Sequence, residues 1–168
     1  KTLRVDHSIG VPARLCALPN ASVTGVVPVY LASGVEPLLL MRRAHELGRM
    51  IRSAVEAWPE EERVVVIGSG GISHWVGLPE MGKVNEDFDR WVLDCVTGGD
   101  AEAMLKLSDA EVFERGGNGA WEIRNFLCMM GALDDQPGSV IAYEHGPQWV
   151  TGLGFAEVGT LAQEAVTA

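Results

Sequence analysis

The sequence predicts an α/β fold, on three observations. A long stretch of helical periodicity runs from about Glu36 to Trp58 and is followed directly by a continuous apolar run, Arg63 to Ile67. A short apolar run of this kind reads as a strand buried on both faces, and helix followed by buried strand is the α/β order. Two further strand-like stretches close the chain after several helical ones.

Each element has its own signal. Residues Ser22 to Leu31 (SVTGVVPVYL) are rich in β-branched side chains and read as a strand broken near Pro28. In the long helix, Leu40, Ala44, Leu47, Ile51, Val55 and Trp58 recur at helical spacing, with Arg42, Arg43, Glu46, Arg49 and Arg52 largely on the other face. Pro59 ends it. The RVVVI run stops at Gly68-Ser69-Gly70-Gly71, where glycines let the chain turn. Asn85 to Cys95 reads as a helix with Phe88, Trp91, Val92 and Cys95 on one stripe, closed by Gly98 and Gly99. Ala101 to Leu107 and Asp109 to Arg115 suggest two short helices. After the loop Gly116-Gly117-Asn118-Gly119, Asn118 is the expected N-cap of a helix to Met130, with Gly131 as its stop. The last strand pair is expected at Ser139 to Tyr143 and Gly154 to Val158, followed by a tail, TLAQEAVTA.

Bulk properties narrow the function. The 168 residues suffice for one domain with a core, read here as a single domain over 1–168. They are 47% hydrophobic and 21% charged, as in an ordinary globular protein. A net charge of −10 argues against nucleic acid and against an anionic membrane surface as partners. Cys16, Cys95 and Cys128 are widely spaced, without the CxxC of a zinc knuckle, and an odd number fits a reducing compartment such as the cytoplasm. The first ten residues lack the apolar run of a signal peptide, and every apolar run is broken by charge or glycine before it reaches membrane-spanning length.

His74 is the leading candidate for chemistry. It stands just past the expected carboxyl end of RVVVI, across GSGG, where open α/β sheets bind ligands. Histidine exchanges protons near neutral pH. The competing reading, a histidine that bonds a loop backbone, stays open on position alone. GSGG lacks the GK[ST] of a phosphate loop, so a turn is the stronger reading. Glu122 follows GGNG in the first turns of a helix. It either complements the helix dipole or, among Trp121, Ile123 and Phe126, is a buried carboxylate in need of a partner such as a metal. Arg124 and Asn125 are too near in sequence to be that partner. His7, beside Asp6, reads as a surface histidine, and His45 as solvated on the polar helix face. His145 and Glu144 point to opposite faces of a strand and are not expected to share one ion.

Taken together, GSGGISHWVGLPEMGKVNEDFDRWVLD, then GNGAWEIRNFL, then YEHGPQWVTGLGFAEV resemble the class III extradiol ring-cleavage dioxygenases, in particular the catalytic β-type subunit of protocatechuate 4,5-dioxygenase and the gallate dioxygenases. The most specific block is GxGGxSH, supported by DHS near the start, and the resemblance spans nearly the whole chain. It implies a mixed central sheet flanked by helices. It also implies a non-haem Fe(II) held by two histidines and a glutamate. By resemblance, His74 is the acid/base, Glu122 the glutamate ligand, and His7 a pocket histidine on the substrate hydroxyls. Trp149 and Thr151 fall in the segment that lines the substrate pocket. The family's two iron-binding histidines precede DHS, and nothing here matches them. The chain is therefore expected to be N-terminally incomplete. The implied substrates are a catechol (protocatechuate, gallate or a relative) and O2, opening the ring to a muconic semialdehyde-type product. The resemblance further allows a small helical partner subunit and a homo-oligomer. The alternatives are an iron-free binding domain or inactive fragment on the same fold, or a zinc-using relative.

Overall fold

The computed structural model describes residues 6–17, 23, 25–146 and 148–159. The element order is α1 (His7–Pro12), a π-turn (Ala13–Ala17), α2 (Met41–Glu56), α3 (Glu86–Gly98), α4 (Ala101–Leu105), α5 (Asp109–Gly116), a 3-10 turn (Gly119–Glu122), α6 (Ile123–Ala132), β1 (Gly138–Gly146) and β2 (Thr151–Val158). The α/β class holds, and the sheet among the described residues is the antiparallel pair β1–β2. The pairing runs from Gly138 opposite Val158 to Gly146 opposite Thr151, with an irregularity between Val140 and Ala142. No helix among the described residues is long and apolar enough to cross a membrane.

The helices begin where their side chains can satisfy free backbone donors. Asn85 caps α3 by accepting from Phe88 N at 3.2 Å, and Gly99, left-handed at φ 68°, closes it. Ser108 and Glu111 form a reciprocal capping box on α5. Asn118 departs from the expected role: it makes no cap bond to the helix after it. Its amide clamps Val76 instead, accepting from Val76 N at 2.8 Å and donating to Val76 O at 3.0 Å. Gly131 does not stop α6, which continues to Ala132.

The core lies between α3, α4, α5 and α6, with Phe88, Val92, Met104, Val112, Ile123 and Leu127 fully buried. Each such side chain contributes about 1.5–3 kcal/mol. Arg124, also fully buried, has all its bonds directed away from Glu122: to Leu39 O, Trp121 O and the Asp109 carboxylate. Burial and the nearby Asp100 and Asp94 push the Cys95 thiol up to about 11, so it stays protonated near neutral pH.

Three expectations need correction. Residues 25–31 and 63–67 are not strands; Ser22 and Thr24 lie outside the described residues. Val27 is 88% and Val65 73% exposed, so RVVVI is not buried on both faces. A strand exists only where a neighbour's backbone accepts its donors, and none among the described residues lies beside either segment. The long helix starts at Met41, and its buried face is Met41, Ala44, His45 and Gly48 rather than the stripe through Leu47, Val55 and Trp58. His45 is therefore not solvated. It is buried against α6, with Nε2 2.9 Å from Asp135 Oδ1.

That face is chosen by close approach. A Cβ on Gly48 would lie 2.0 Å from Cys128 O, and one on Gly131 2.3 Å from His45 O. Two glycines let α2 and α6 meet backbone to backbone. In a solvated helix, Gly→Ala stabilises by about 1 kcal/mol. Here Gly48→Ala and Gly131→Ala are each expected to destabilise by about 1–3 kcal/mol, read as a lower urea midpoint. Asp89 is fully buried on α3. Burial pushes its carboxyl above the usual range, opposed by bonds from Ser73 and Tyr143. Between the usual carboxylate range and the raised value, the native state holds a proton that the unfolded chain has released, so this group's contribution is full below that range and falls as pH rises through the raised value. Asn cannot ionise. Urea midpoints of Asp89→Asn relative to the parent chain are expected to improve from pH 3.5 to pH 7.

Candidate active site

The site is built on the loop 68–75, held between the α5–α6 connection on one side and the start of β2 on the other. His74 is stitched into it by its own peptide: its N–H donates to Gly116 O at 2.8 Å and its carbonyl accepts from Gly119 N at 3.1 Å. A Cβ at Gly117, where φ is 80°, would come within 2.4 Å of His74 O. The glycine run GGNG is thus the surface on which the His74 backbone rests.

The imidazole is half-buried between two further glycines. A Cβ on Gly71 would stand 2.3 Å from its Cε1, and one on Gly119 2.2 Å from its Nε2. Nδ1 lies 3.3 Å from Ile72 O. A carbonyl can only accept, so the neutral ring carries its hydrogen on Nδ1 and keeps the Nε2 lone pair. None of Gly68, Gly70 and Gly71 has a positive φ. The glycines of GSGG are needed for close approach rather than for a left-handed turn. Gly68 lies against Met129, Gly70 against Glu122 and Gly71 against His74.

Glu122 ends the 3-10 turn and precedes α6. Its carboxylate reaches back to the loop, where Oε2 accepts from Gly71 N at 2.5 Å. Asn125, one turn on, donates from Nδ2 to Ser69 O at 2.7 Å. Glu122 thus holds the Gly71 amide, and the His74 ring packs where a Gly71 Cβ would stand. From β2, the Thr151 hydroxyl donates to Gly152 O at 3.1 Å and approaches Ser73 O at 3.5 Å. The structure brings His74, Glu122 and Thr151 to one loop.

It does not bring the other two expected residues there. The His7 side chain is 89% exposed on α1 and paired with Asp6 at 2.9 Å. Among the described elements, α1 packs only on the π-turn that follows it. Trp149, in the turn between β1 and β2, is 55% exposed. Neither side chain is hydrogen-bonded to His74 or Glu122 among the described residues. His145 pairs instead with Glu86 at 3.3 Å.

Sequence reasoning misses Ser73 and Asp89, yet both sit directly behind His74. Ser73 is fully buried and bonded at every polar atom: N to Asp89 Oδ1 at 2.7 Å, Oγ to Asn85 N at 2.8 Å, O to Gly152 N at 3.4 Å. Asp89 lies in view as a polar residue on the buried stripe of Asn85, Phe88 and Val92. A carboxylate there must have partners.

The residues present do not complete an iron site. Among the described residues, no group of three His, Cys, Asp or Glu side chains could hold a metal ion. Glu122 stands without the two histidines of a facial triad.

Comparison with known proteins agrees with the resemblance. A family model described as the catalytic LigB subunit of aromatic ring-opening dioxygenase matches residues 1–154. The chain is 31% identical over 130 residues to a gallate dioxygenase of Pseudomonas putida, covering 77% of this chain and 38% of that protein. It is 22% identical over 207 residues to a 2,3-dihydroxyphenylpropionate/2,3-dihydroxicinnamic acid 1,2-dioxygenase of Photorhabdus laumondii, covering 96% of this chain and 64% of the relative. A protein of the same name from Cupriavidus necator is 25% identical over 201 residues, covering 89% and 61%. The chain therefore spans less than two thirds of the length of these relatives. With the match running over most of its residues, the chain belongs to the LigB family, the catalytic subunits of aromatic ring-opening dioxygenases.

Proposed function

We propose that this chain is a single catalytic domain of an extradiol dioxygenase that opens a catechol-type ring, with His74 as its acid/base. The observation that carries the reading is the state of the His74 ring. It is half-buried, packed between Gly71 and Gly119, and keeps its Nε2 lone pair because Nδ1 faces Ile72 O. A base so fixed can take the proton of a catechol hydroxyl on Nε2 and return it to a leaving oxygen later in the same turnover. The overall change is addition of both O2 atoms across a ring bond beside the diol, giving a muconic semialdehyde-type product. Thr151, whose hydroxyl approaches Ser73 O beside His74, would contact the substrate. Trp149 and His7 would join the pocket only from their present exposed positions. The reading implies Fe(II) as cofactor, with Glu122 as one ligand and histidine ligands from outside the described residues. It also implies a cytoplasmic enzyme, working as a homo-oligomer or with a small helical partner subunit.

A non-catalytic binding domain is the second reading, and the incomplete ligand set among the described residues favours it. Metal analysis of the natively purified protein separates the two, since tight iron binding excludes the second.

The direct test is O2 uptake with protocatechuate, gallate and dihydroxyphenylpropionate, with added Fe(II), by a natural protein that carries this chain. His74→Gln and His74→Phe are expected to lower turnover by about 10²–10⁴-fold. Unchanged turnover in both variants would contradict the acid/base assignment.

A further inference from the structure

We propose that Asp89 is the positioning residue of His74, acting through the Ser73 peptide and anchored by Tyr143. The inference rests on the reading of His74 as acid/base and extends it to residues that the family match does not assign.

The geometry is specific. Asp89 leaves α3 from its buried face and carries no exposed surface. Oδ1 accepts from Ser73 N at 2.7 Å, and Oδ2 accepts from the Tyr143 hydroxyl on β1 at 2.8 Å. Gly152 on β2 closes over the carboxylate, where a Cβ would stand 1.9 Å from Oδ2. One carboxylate thus ties three separate pieces of chain, α3, the site loop and the β1–β2 pair, at the residue next to His74. The bond it makes is to the peptide N–H between Ile72 and Ser73. That peptide also contains the Ile72 carbonyl, which faces His74 Nδ1 at 3.3 Å. Fixing one end of a planar peptide fixes the other, because its six atoms turn as a unit. Asp89 therefore sets the direction of the carbonyl that chooses the His74 tautomer.

A core carboxylate serving packing alone would need no such placement. Bonds to a charged acceptor are among the stronger ones in a fold, and this one is spent on a loop amide. Tyr143 has its own reason to remain a donor. Burial and the Asp89 charge push its phenol far above the usual range, so it keeps its proton and holds Oδ2.

The test reads the ring rather than the reaction. In a natural protein that carries this chain, labelled with ¹⁵N, His74 ring signals are assigned by their loss in His74→Gln. The parent chain is expected to show one neutral tautomer, protonated at Nδ1. Asp89→Asn retains an acceptor for Ser73 N and is expected to keep that pattern. Asp89→Ala is expected to average the two tautomers and to speed exchange of the Ser73 amide about tenfold, as for a lost hydrogen bond worth about 1.4 kcal/mol. Should Asp89→Ala not fold, Tyr143→Phe frees Oδ2 alone and must move the His74 ring signals in the same direction. A folded Asp89→Ala, or failing that a folded Tyr143→Phe, with the parent's tautomer pattern would overturn the proposal. None of these measurements needs turnover. Failure of the acid/base reading would show in the activity of His74→Gln, and failure of the positioning role only in the ring signals.

Discussion

The hydrogen bond from the Ser73 amide to the buried Asp89 carboxylate is the constraint on which the rest of the site depends. The loop 68–75 has no regular structure, and its peptide groups need partners from elsewhere. Asp89 provides the first, Asn85 meets the Ser73 hydroxyl, and the glycines at 116 and 119 bracket His74. Without the carboxylate, the Ser73 amide would be buried without an acceptor and the loop would lose its fixed path. The cost of burying the carboxylate is offset by its two donors, the Ser73 amide and the Tyr143 hydroxyl.

Much of the helical scaffold is legible in the sequence. The α3 stripe of Phe88, Val92 and Cys95, its Asn85 start and its Gly99 end all follow from local rules. So does the closing hairpin, which runs further toward its turn than expected, to Gly146 and from Thr151. These elements depend on neighbours close in sequence. The failures share the opposite character. Residues 25–31 and 63–67 have strand composition, but pairing is a property of two segments, and a sequence cannot display the second. Helical spacing misplaces the buried face of α2 because it marks large apolar side chains. The real contact is a close backbone crossing, with Gly48 against Cys128 and Gly131 against His45, that buries His45.

The site is legible in its types and not in its geometry. GxGGxSH points to His74, and the carboxylate after GGNG points to Glu122. That both converge on Gly71 is visible only in three dimensions. Asp89 escapes notice because its neighbours Glu86 and Asp87 make it look like one more acid at a helix start. Its position on the Phe88–Val92 stripe is the signal. The glycines of GSGG and GGNG likewise look like turn residues, whereas three of the six, Gly70, Gly71 and Gly119, are contact surfaces for an imidazole and a carboxylate.

Membership of the ring-opening dioxygenase family and the arrangement around His74 together point to one atom. On the proposed reading, Nε2 of His74 is the group that would meet a substrate hydroxyl. A crystal structure of a protein carrying this chain, with a catechol bound, tests this most directly. The expected result is a catechol hydroxyl oxygen within hydrogen-bond distance of His74 Nε2, with Nδ1 still on Ile72 O. A catechol seated away from the 68–75 loop, with His74 bonded only to backbone, would contradict it.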